Sequence, residues 1–305
     1  MRGVVFVCLF VVGLTARISG SSHYDLVERF SESSYLTNQA INCIVQDTTG
    51  FLWIGTQHGL NKYDGSTVTT YLFDSKDTTT IGDNYVQALF VDSEGVLWVL
   101  VPQYFCRYDE SCDVFIRYAY AEDKKNTHTS NPGDIVEDNR GVIWVGTPEM
   151  GLFSFDKKAN RFTSYPDIRD NISKMYFDGN ETLWIGSVGL IHRLNIHQGD
   201  FSTLMFPAYE PVVRMDFDSN RIYTRNFIYP FTPLAVETGS KAQRASEMFH
   251  IQEITDMLEA EQVCWIGSKG EGVVVYDTEQ QKRALLNSYR FTIFVEKKYG
   301  LSKMW

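Results

Sequence analysis

The chain has 305 residues, of which 44% are hydrophobic and 22% charged, and its formal net charge is -10. This composition excludes an intrinsically disordered chain, and 20 Phe and 17 Tyr favour strands over helices. The negative charge, with Lys and Arg scattered along the chain, argues against nucleic-acid binding, since the sequence offers no basic patch to offset repulsion by the phosphates.

The first 21 residues have the anatomy of a signal peptide. Arg2 precedes an apolar run from Val4 to Leu14, and small and polar residues follow up to Ser22. The run is too short to cross about 30 Å of hydrocarbon as a helix, although an uncleaved anchor is the alternative. We therefore expect a signal peptide over 1–21 and a secreted domain over 22–305.

The rest of the chain is dominated by an internal repeat. The clearest copies are DTTGFLWIGT from Asp47, DSEGVLWVLV from Asp92 and DNRGVIWVGT from Asp138. Weaker copies follow, and the aromatic anchors of the six copies are Trp53, Trp98, Trp144, Trp184, Tyr223 and Trp265. These anchors recur roughly every 40 to 45 residues, which is the length of one four-stranded propeller blade.

Each copy reads as four strands joined by tight turns. INCIVQ leads into Asp-x-x-Gly, where Asp bonds the turn backbone and Gly accepts positive φ. FLWIGT then reads as an inner strand covered on both faces, with Trp53 and its equivalents as blade core rather than sugar platforms. A second turn follows at Gly59 or Gly151, and STVTTYLF and NRFTSYP read as outer strands.

Two stretches need the repeat phase to interpret them. Residues 242–261 have good helical propensity, but the phase predicts a strand before Trp265. SYLTNQA near Leu36 resembles YGLSKMW around Leu301, and six units of about 44 residues separate them. The sequence thus predicts an all-β propeller of six four-stranded blades plus a stub of a seventh, truncated at its C-terminus, in an incomplete seven-bladed ring.

The pattern DTTGFLWIGTQHGLNKYD resembles the propeller repeat of two-component regulators, and in particular the N-terminal periplasmic propeller of Bacteroidetes-type hybrid sensors. The preceding YLTNQAI and YGLSKM resemble that family's lead-in, G-L-S-x-N-x-I. The resemblance implies a sensor of oligosaccharides released from polysaccharides, located in the periplasm of a protein anchored in the inner membrane. The kinase of that family lies in further domains, so no kinase activity carries over to this polypeptide.

Candidate ligand-binding residues lie in the loops between the second and third strands of the blades. Amide, imidazole, phenol and charged side chains there suit sugar hydroxyls, and aromatic faces can stack on sugar rings. The alternative is that these loops are ordinary solvated turns. The candidates are Gln57, His58, Gln103, Tyr104, Glu149 and Lys269.

The cysteines leave one question open. Cys106 and Cys112 flank RYDES symmetrically and could form a disulfide across a hairpin in an oxidising compartment, or could be two free thiols. Cys43 and Cys264 lie in apolar strand patterns and read as buried thiols. With neither CxxC nor HExxH spacing, the sequence indicates no metal site and no cofactor.

Three functions remain open from the sequence. The first is a ligand-sensing module without catalytic residues, which binds an oligosaccharide, pairs as a propeller homodimer, and meets the membrane only through C-terminal parts missing from this chain. The second is a secreted propeller enzyme, either a polysaccharide lyase or a lactonase. The third is a degenerate fragment without an independent role. We expect the first.

Overall fold

The computed structural model describes residues 36–120, 133–148, 150–168, 171–205, 209–217, 220–230, 242–251, 253–260, 263–268, 272–277 and 282–286. Over these residues it contains six four-stranded antiparallel sheets and one single-turn helix. The prediction of an all-β propeller with six blades is therefore confirmed. The signal peptide, the stub of a seventh blade, Glu149 and Lys269 lie outside the described residues.

Every blade is a meander in which consecutive strands are hydrogen-bonded neighbours. Blade 1 is β1 (Ile41–Gln46), β2 (Leu52–Thr56), β3 (Gly59–Tyr63) and β4 (Val68–Tyr71). Blade 2 is β5 (Ala88–Val91), β6 (Leu97–Val101), β7 (Tyr104–Asp109) and β8 (Val114–Ala119). Blade 3 is β9 (Asp134–Glu137), β10 (Ile143–Thr147), β11 (Gly151–Asp156) and β12 (Arg161–Tyr165).

The second half of the ring repeats this order. Blade 4 is β13 (Ile172–Phe177), β14 (Thr182–Ser187), β15 (Leu190–Asn195) and β16 (Phe201–Met205). Blade 5 is β17 (Val212–Asp216), β18 (Arg221–Thr224), β19 (Phe227–Pro230) and β20 (Gln243–Arg244), followed by helix α1 (Ala245–Met248). Blade 6 is β21 (Ile254–Ala260), β22 (Val263–Ser268), β23 (Gly272–Asp277) and β24 (Lys282–Leu286).

The first strand of each blade lies innermost. β1 contacts β5, β5 contacts β9, and the series continues through β13 and β17 to β21. These six strands therefore surround the axis of the propeller and line its central channel, as in other propellers.

The second strand of each blade is buried on both faces. Every residue of β2, β6 and β10 is buried, which agrees with the reading of FLWIGT as an inner strand. The apolar clusters join neighbouring blades: Trp53 of blade 1 packs with Val99 and Phe115 of blade 2. Each fully buried aliphatic or Phe side chain in such a cluster contributes about 1.5–3 kcal/mol, so the packing between blades dominates the stability of the ring.

The glycine of the WIG pattern lets the next blade approach closely. A Cβ on Gly146 would lie 2.4 Å from Cγ2 of Ile172, and one on Gly55 would lie 2.5 Å from Cγ1 of Val86. Because both contacts are far below van der Waals distance, a side chain at either glycine would displace the segment that begins the following blade.

Blade 5 corrects the predicted position of its anchor. The register pairs Arg214 with Tyr223 and Val212 with Thr224, whereas blade 4 pairs Lys174 with Gly186 and Ile172 with Ser187. Tyr223 thus takes the glycine position of the repeat, and Arg221 takes the tryptophan position. The prediction of Tyr223 as the anchor was wrong by two residues, because the hairpin of β17 and β18 is shorter than that of β13 and β14: Tyr223 follows its partner Arg214 by nine positions, whereas Gly186 follows Lys174 by twelve. Tyr223 is nevertheless buried, at 1% exposure, against blade 6.

The stretch with helical propensity, residues 242–261, contains both a short helix and a strand. Residues 245–248 form the single turn of α1, while Ile254–Ala260 form the first strand of blade 6. Phe249, Ile251 and Ile254 are buried in one cluster with Ile266 and Val274 of that blade. The repeat phase therefore predicts the strand correctly, because packing against the neighbouring strands outweighs local helical propensity.

Candidate functional site

The predicted loops all lie at one end of the ring, which we call the loop end. In blade 1, Thr56 pairs with Gly59 across the turn between β2 and β3, and the end of β4 lies beside it because Leu60 pairs with Tyr71. The turn between second and third strands therefore shares its end with the connection to the next blade. The Asp-x-x-Gly turns lie at the opposite end.

The first candidate loop presents two free polar side chains. Oγ1 of Thr56 donates to the carbonyl of Gly59 at 2.9 Å and accepts from the amide of His58 at 3.1 Å, and Gly59 has a φ of 111°. This clamp holds the backbone of the loop and leaves Gln57 and His58 exposed. Their side chains form no hydrogen bond to any described residue, so both are available to a ligand.

In the second candidate loop, between β6 and β7, internal contacts hold most of the residues. The hydroxyl of Tyr120 donates to the carbonyl of Val101 at 2.9 Å and accepts from the amide of Gln103 at 3.0 Å. Gln103 has a φ of 69°, and its side chain is partly exposed. Tyr104 packs into the core between blades 1 and 2 and lies against Gly82. Gln103 can therefore contact a ligand, whereas Tyr104 is held as a packing residue.

Blades 3 and 5 add features that the sequence does not reveal directly. Thr147 repeats the clamp of Thr56, donating to the carbonyl of Gly151 at 3.0 Å, and Met150 in that loop is 37% exposed. In blade 5 the carboxylate of Glu210 accepts hydrogen bonds from Thr224 and from both the amide and the side chain of Asn226. Because these bonds satisfy the carboxylate, Glu210 orders its loop.

The repeated tryptophans lie in the core. The exposure of Trp53, Trp98, Trp144, Trp184 and Trp265 ranges from 0% to 4%. None of these five residues can offer a ring face to a ligand, in keeping with their reading as blade core.

The repeated aspartates build the turns at the opposite end. One carboxylate oxygen of Asp138 accepts backbone hydrogen bonds from Arg140 and Val142, and the other accepts from the indole of Trp144 at 3.0 Å. Burial opposes the ionisation of Asp138, but the hydrogen bonds from Arg140 and Trp144 outweigh it and hold its pKa below the usual value. Asp47 and Asp92 make the same set of bonds, including one to the indole six residues later.

The disulfide between Cys106 and Cys112 is not formed. Both thiols are free, with Cys106 buried and Cys112 exposed. The register of β7 and β8 places Arg117, not Cys112, opposite Cys106, because Cys112 belongs to the turn between the two strands. Burial raises the pKa of the Cys106 thiol to about 12, so this group is inert in the folded chain.

A ring of charged residues inside the channel was missed by the sequence reading. The first strands of four blades carry a register shift near their start, between Ile41 and Cys43 in blade 1 and between Ile172 and Lys174 in blade 4. The residue after the shift faces the glycine position of the second strand, one pair inside the loop end. The six residues at this level are Cys43, Ala88, Asp134, Lys174, Arg214 and Asp256.

The four charged members of this channel ring occupy consecutive blades, in the order acid, base, base, acid. Each is partly exposed although it lies on an innermost strand, so the surface it exposes faces the channel. Burial raises the pKa values of Asp134 and Asp256, and the nearby ammonium of Lys174 opposes both shifts. Asp134, helped by Asp256, in turn raises the pKa of Lys174 despite its desolvation, so Lys174 stays protonated at neutral pH.

A sequence signal for the channel ring exists once the anchors are known. In blades 1 to 4 the ring residue stands ten positions before the tryptophan. Apolar periodicity hides it, because the register shift interrupts the alternation of the first strand. In blades 1 and 4, the residue that the register shift skips bonds to the next blade through its side chain. Nδ2 of Asn42 donates to the carbonyl of Val86 at 2.7 Å, and Oγ of Ser173 donates to the carbonyl of Val212 at 2.9 Å.

Comparisons with known proteins agree with this architecture. The family model of the two-component regulator propeller matches residues 35–58. Histidine kinase P4 of Formosa agariphila is 34% identical over 79 residues, a match that covers 26% of this chain and 6% of the kinase. The kinase is thus far longer than the stretch it shares with this chain.

Two solved structures share the fold. The extracellular domain of a hybrid two-component system from B. thetaiotaomicron superimposes with a TM-score of 0.65 at 20% identity, covering 84% of this chain and 36% of that one. Virginiamycin B lyase from Staphylococcus aureus superimposes with a TM-score of 0.60 at 14% identity, covering 82% of this chain and 85% of the lyase. At these identities both likenesses concern the fold alone.

The described residues contain neither a membrane-spanning helix nor a cluster of metal ligands. Within the described ranges, no helix is both long and apolar enough to cross a bilayer. Within the same ranges, no group of three or more His, Cys, Asp or Glu side chains is arranged to hold a metal ion.

Proposed function

For a chain that carries the propeller repeat of two-component regulators, we propose the role of an extracytoplasmic ligand-sensing module whose ligand is an oligosaccharide. The observation that supports this role is the loop end, where Gln57 and His58 leave amide and imidazole groups exposed and without internal partners among the described residues. Such groups both donate to and accept from sugar hydroxyls. The Thr56 clamp holds their backbone in place, which lowers the entropy cost of binding.

The proposal includes a place in the cell and a way of signalling. The N-terminal signal peptide directs the chain to the periplasm of a bacterium that degrades polysaccharides. The ligand then alters how two propellers pack in a homodimer, and this change biases a kinase carried by further domains of an inner-membrane protein. A ligand can bias such an equilibrium only through its different affinity for the two packings.

Binding to the loop end is testable with the purified chain from residue 22 onward. We expect a panel of plant and microbial oligosaccharides to contain at least one ligand that raises the unfolding temperature, as mass action requires. Replacing Gln57 and His58 together by Ala should weaken that ligand about tenfold or more in calorimetry. The matched control is Lys158→Ala, an exposed substitution in the turn between β11 and β12 at the opposite end. A panel without any ligand would contradict the sensing role.

Location and signalling need a separate experiment in cells. The full gene is expressed in a bacterium that grows on polysaccharides, the cells are fractionated, and the N-terminus of the mature chain is sequenced. We expect recovery from the periplasm, a start near Ser22, and loss of ligand-induced transcription in the Gln57→Ala, His58→Ala double variant. Recovery of the uncleaved chain from the cytoplasm would overturn this part of the proposal.

A secreted lyase is the competing function, and the fold shared with virginiamycin B lyase favours it. The repeated carboxylates of this chain are engaged in turns, which weakens the case for paired catalytic acids. A test for reaction products distinguishes the two functions. Prolonged incubation of each oligosaccharide or lactone with the purified chain should leave it intact, and chromatographic detection of a new product would support the enzyme.

A further inference from the structure

The channel ring lies one residue pair inside the loop end, so a ligand bound to the loops meets the mouth of the channel. The residue that pairs with the glycine position of the second strand marks this level in each blade, and blades 3 to 6 supply Asp134, Lys174, Arg214 and Asp256 in that order. Blades 1 and 2 supply only the thiol of Cys43 and the methyl group of Ala88. One half of the mouth is therefore charged, and the other half is neutral and small.

The acids of the ring already have hydrogen-bond partners. Oδ2 of Asp134 accepts from the backbone amide of Met175 in the next blade at 2.7 Å. Oδ1 of Asp256 accepts from the amide of Met257 at 2.9 Å. Each carboxylate thus accepts at least one hydrogen bond from the protein itself.

The bases of the ring lack such partners. Nε of Arg214 is buried and forms no hydrogen bond with any described residue. The ammonium of Lys174 feels Asp134 and Asp256 through space, but it forms neither a hydrogen bond nor an ion pair with any described residue. A buried donor without an acceptor costs about 1–3 kcal/mol, so this mouth is short of acceptors rather than donors.

We propose that the loop end takes an acidic oligosaccharide, whose terminal uronic acid enters the channel and places its carboxylate between Lys174 and Arg214. This inference rests on the proposed function and names the class of its ligand. A carboxylate supplies the acceptors that the two bases lack, and it forms strong charge-assisted hydrogen bonds with guanidinium and ammonium groups. Sugar hydroxyls on the same ring can donate to the free oxygens of Asp134 and Asp256, while Cys43 and Ala88 leave room on the other side.

The inference explains why four charges of balanced sign stand together in a channel. An acidic sugar brings one negative charge to two bases and two acids, and it replaces water that is otherwise needed around Lys174 and Arg214. A neutral oligosaccharide forms no ion pair with Lys174 or Arg214, and a cationic one is repelled by both bases. The ring therefore selects by charge, and the loops contact the remainder of the chain of sugars.

The test compares matched ligands on the purified chain from residue 22 onward. Trigalacturonate, its methyl ester and a neutral galactose trisaccharide differ in charge at nearly constant shape. We expect trigalacturonate to bind at least tenfold more tightly than the ester or the neutral sugar in calorimetry. Lys174→Met and Arg214→Met should each remove this preference, while Lys174→Arg should keep most of it. Lys158→Met, exposed at the opposite end, should leave it unchanged.

Hydrogen exchange offers a second readout in the unmodified protein. Trigalacturonate should slow amide exchange in β13 and β17, which carry Lys174 and Arg214, and leave the turn between β11 and β12 unaffected. This measurement decides the matter if the ring variants fail to fold. Equal binding of acid and ester with no protection of β13 and β17 would refute the channel site. Binding of neutral oligosaccharides alone would leave the sensing role standing without its acidic ligand, and binding of no sugar at all would end both.

Discussion

The indole Nε1 of Trp98 donates a 2.9 Å hydrogen bond to Oδ2 of Asp92, six residues earlier in the chain. The same pair recurs as Trp53 with Asp47 and as Trp144 with Asp138. The bond links the turn at one end of a blade to the core residue that fills the space beside the next blade. A turn aspartate and a core tryptophan are thus one structural unit, which accounts for their constant spacing.

Removal of Asp92 should destabilise the ring strongly. Its carboxylate accepts from the amides of Glu94 and Val96 and from Trp98, and it also pairs with the ammonium of Lys157 at 3.1 Å. Asp92→Ala leaves the buried indole and two partly buried amides without their acceptor and removes one of the three carboxylates that pair with Lys157, so we expect a loss of about 3 kcal/mol in the free energy of unfolding. Chemical denaturation measures this loss.

Asp47→Ala is the matched control for that experiment. Asp47 makes the same turn and indole bonds without a lysine partner among the described residues, and it is partly exposed. We expect a loss of about 1–2 kcal/mol. Equal losses for the two variants would show that the burial of Asp92 and its contact with Lys157 contribute nothing.

Substitution of Gly146 should separate close packing from backbone strain. In Gly146→Ala the new methyl group meets Ile172, and the resulting shift of β13 should cost about 1–3 kcal/mol. Gly199 has a φ of 78° and nothing within 4 Å of an added Cβ. Gly199→Ala should therefore cost only strain, about 1–2 kcal/mol. Thermal unfolding of the two variants measures both costs, and an undiminished stability of Gly146→Ala would contradict the close approach of blade 4 to this glycine.

Asp134 and Asp138 should respond to pH in opposite directions. Hydrogen bonds lower the pKa of Asp138 from 3.8, so its contribution is present above that pH and is lost as the pH falls through the folded-state value. Burial raises the pKa of Asp134, so the cost of its charge is absent below 3.8 and grows as the pH rises through its folded-state value.

Denaturation of two variants over a pH series checks this pair of signs. The deficit of Asp138→Asn relative to the wild type should shrink below about pH 3.8. Asp134→Asn should improve relative to the wild type as the pH rises from about 4 to 7. Parallel curves for both variants and the wild type would mean that neither carboxyl has a shifted pKa.

Thiol labelling should distinguish the two cysteines that flank RYDES. Cys112 is exposed and should react with iodoacetamide within minutes at mildly alkaline pH, whereas burial raises the pKa of Cys106 to about 12 and should delay its reaction until unfolding. Pretreatment with a reductant should change neither rate. Faster labelling of Cys112 after reduction would indicate a disulfide in the secreted protein.

The sequence predicted the architecture well because the repeat is written in local residues. Asp-x-x-Gly marks each first turn, and the tryptophan six residues after Asp47 marks the buried second strand, so the blade period is visible without coordinates. The phase failed at Tyr223, because the shorter hairpin of blade 5 places this residue two positions after the anchor, at the glycine position, where its ring is still buried. Aromatic identity alone does not distinguish the two positions.

The candidate site could be predicted only in part. Gln57 and His58 follow from the turn between two recognisable strands, and they lie exposed at the loop end. Tyr104 belongs to a similar loop, but its side chain packs against Gly82, which lies in the segment before β5. The path of that segment, not the loop itself, buries the ring of Tyr104. Pairing across blades decides which loop residues remain free, and no local pattern records it.

What the sequence determined by itself is the blade: its turns, its buried strand and its length, all of which depend on residues close together in the chain. Only the tertiary structure decided that Asp134, Lys174, Arg214 and Asp256, from four different blades, share one level of the channel. Register shifts and ring geometry bring them together across about 40 residues each. Charges that far apart in the chain interact only because the blades surround a common axis.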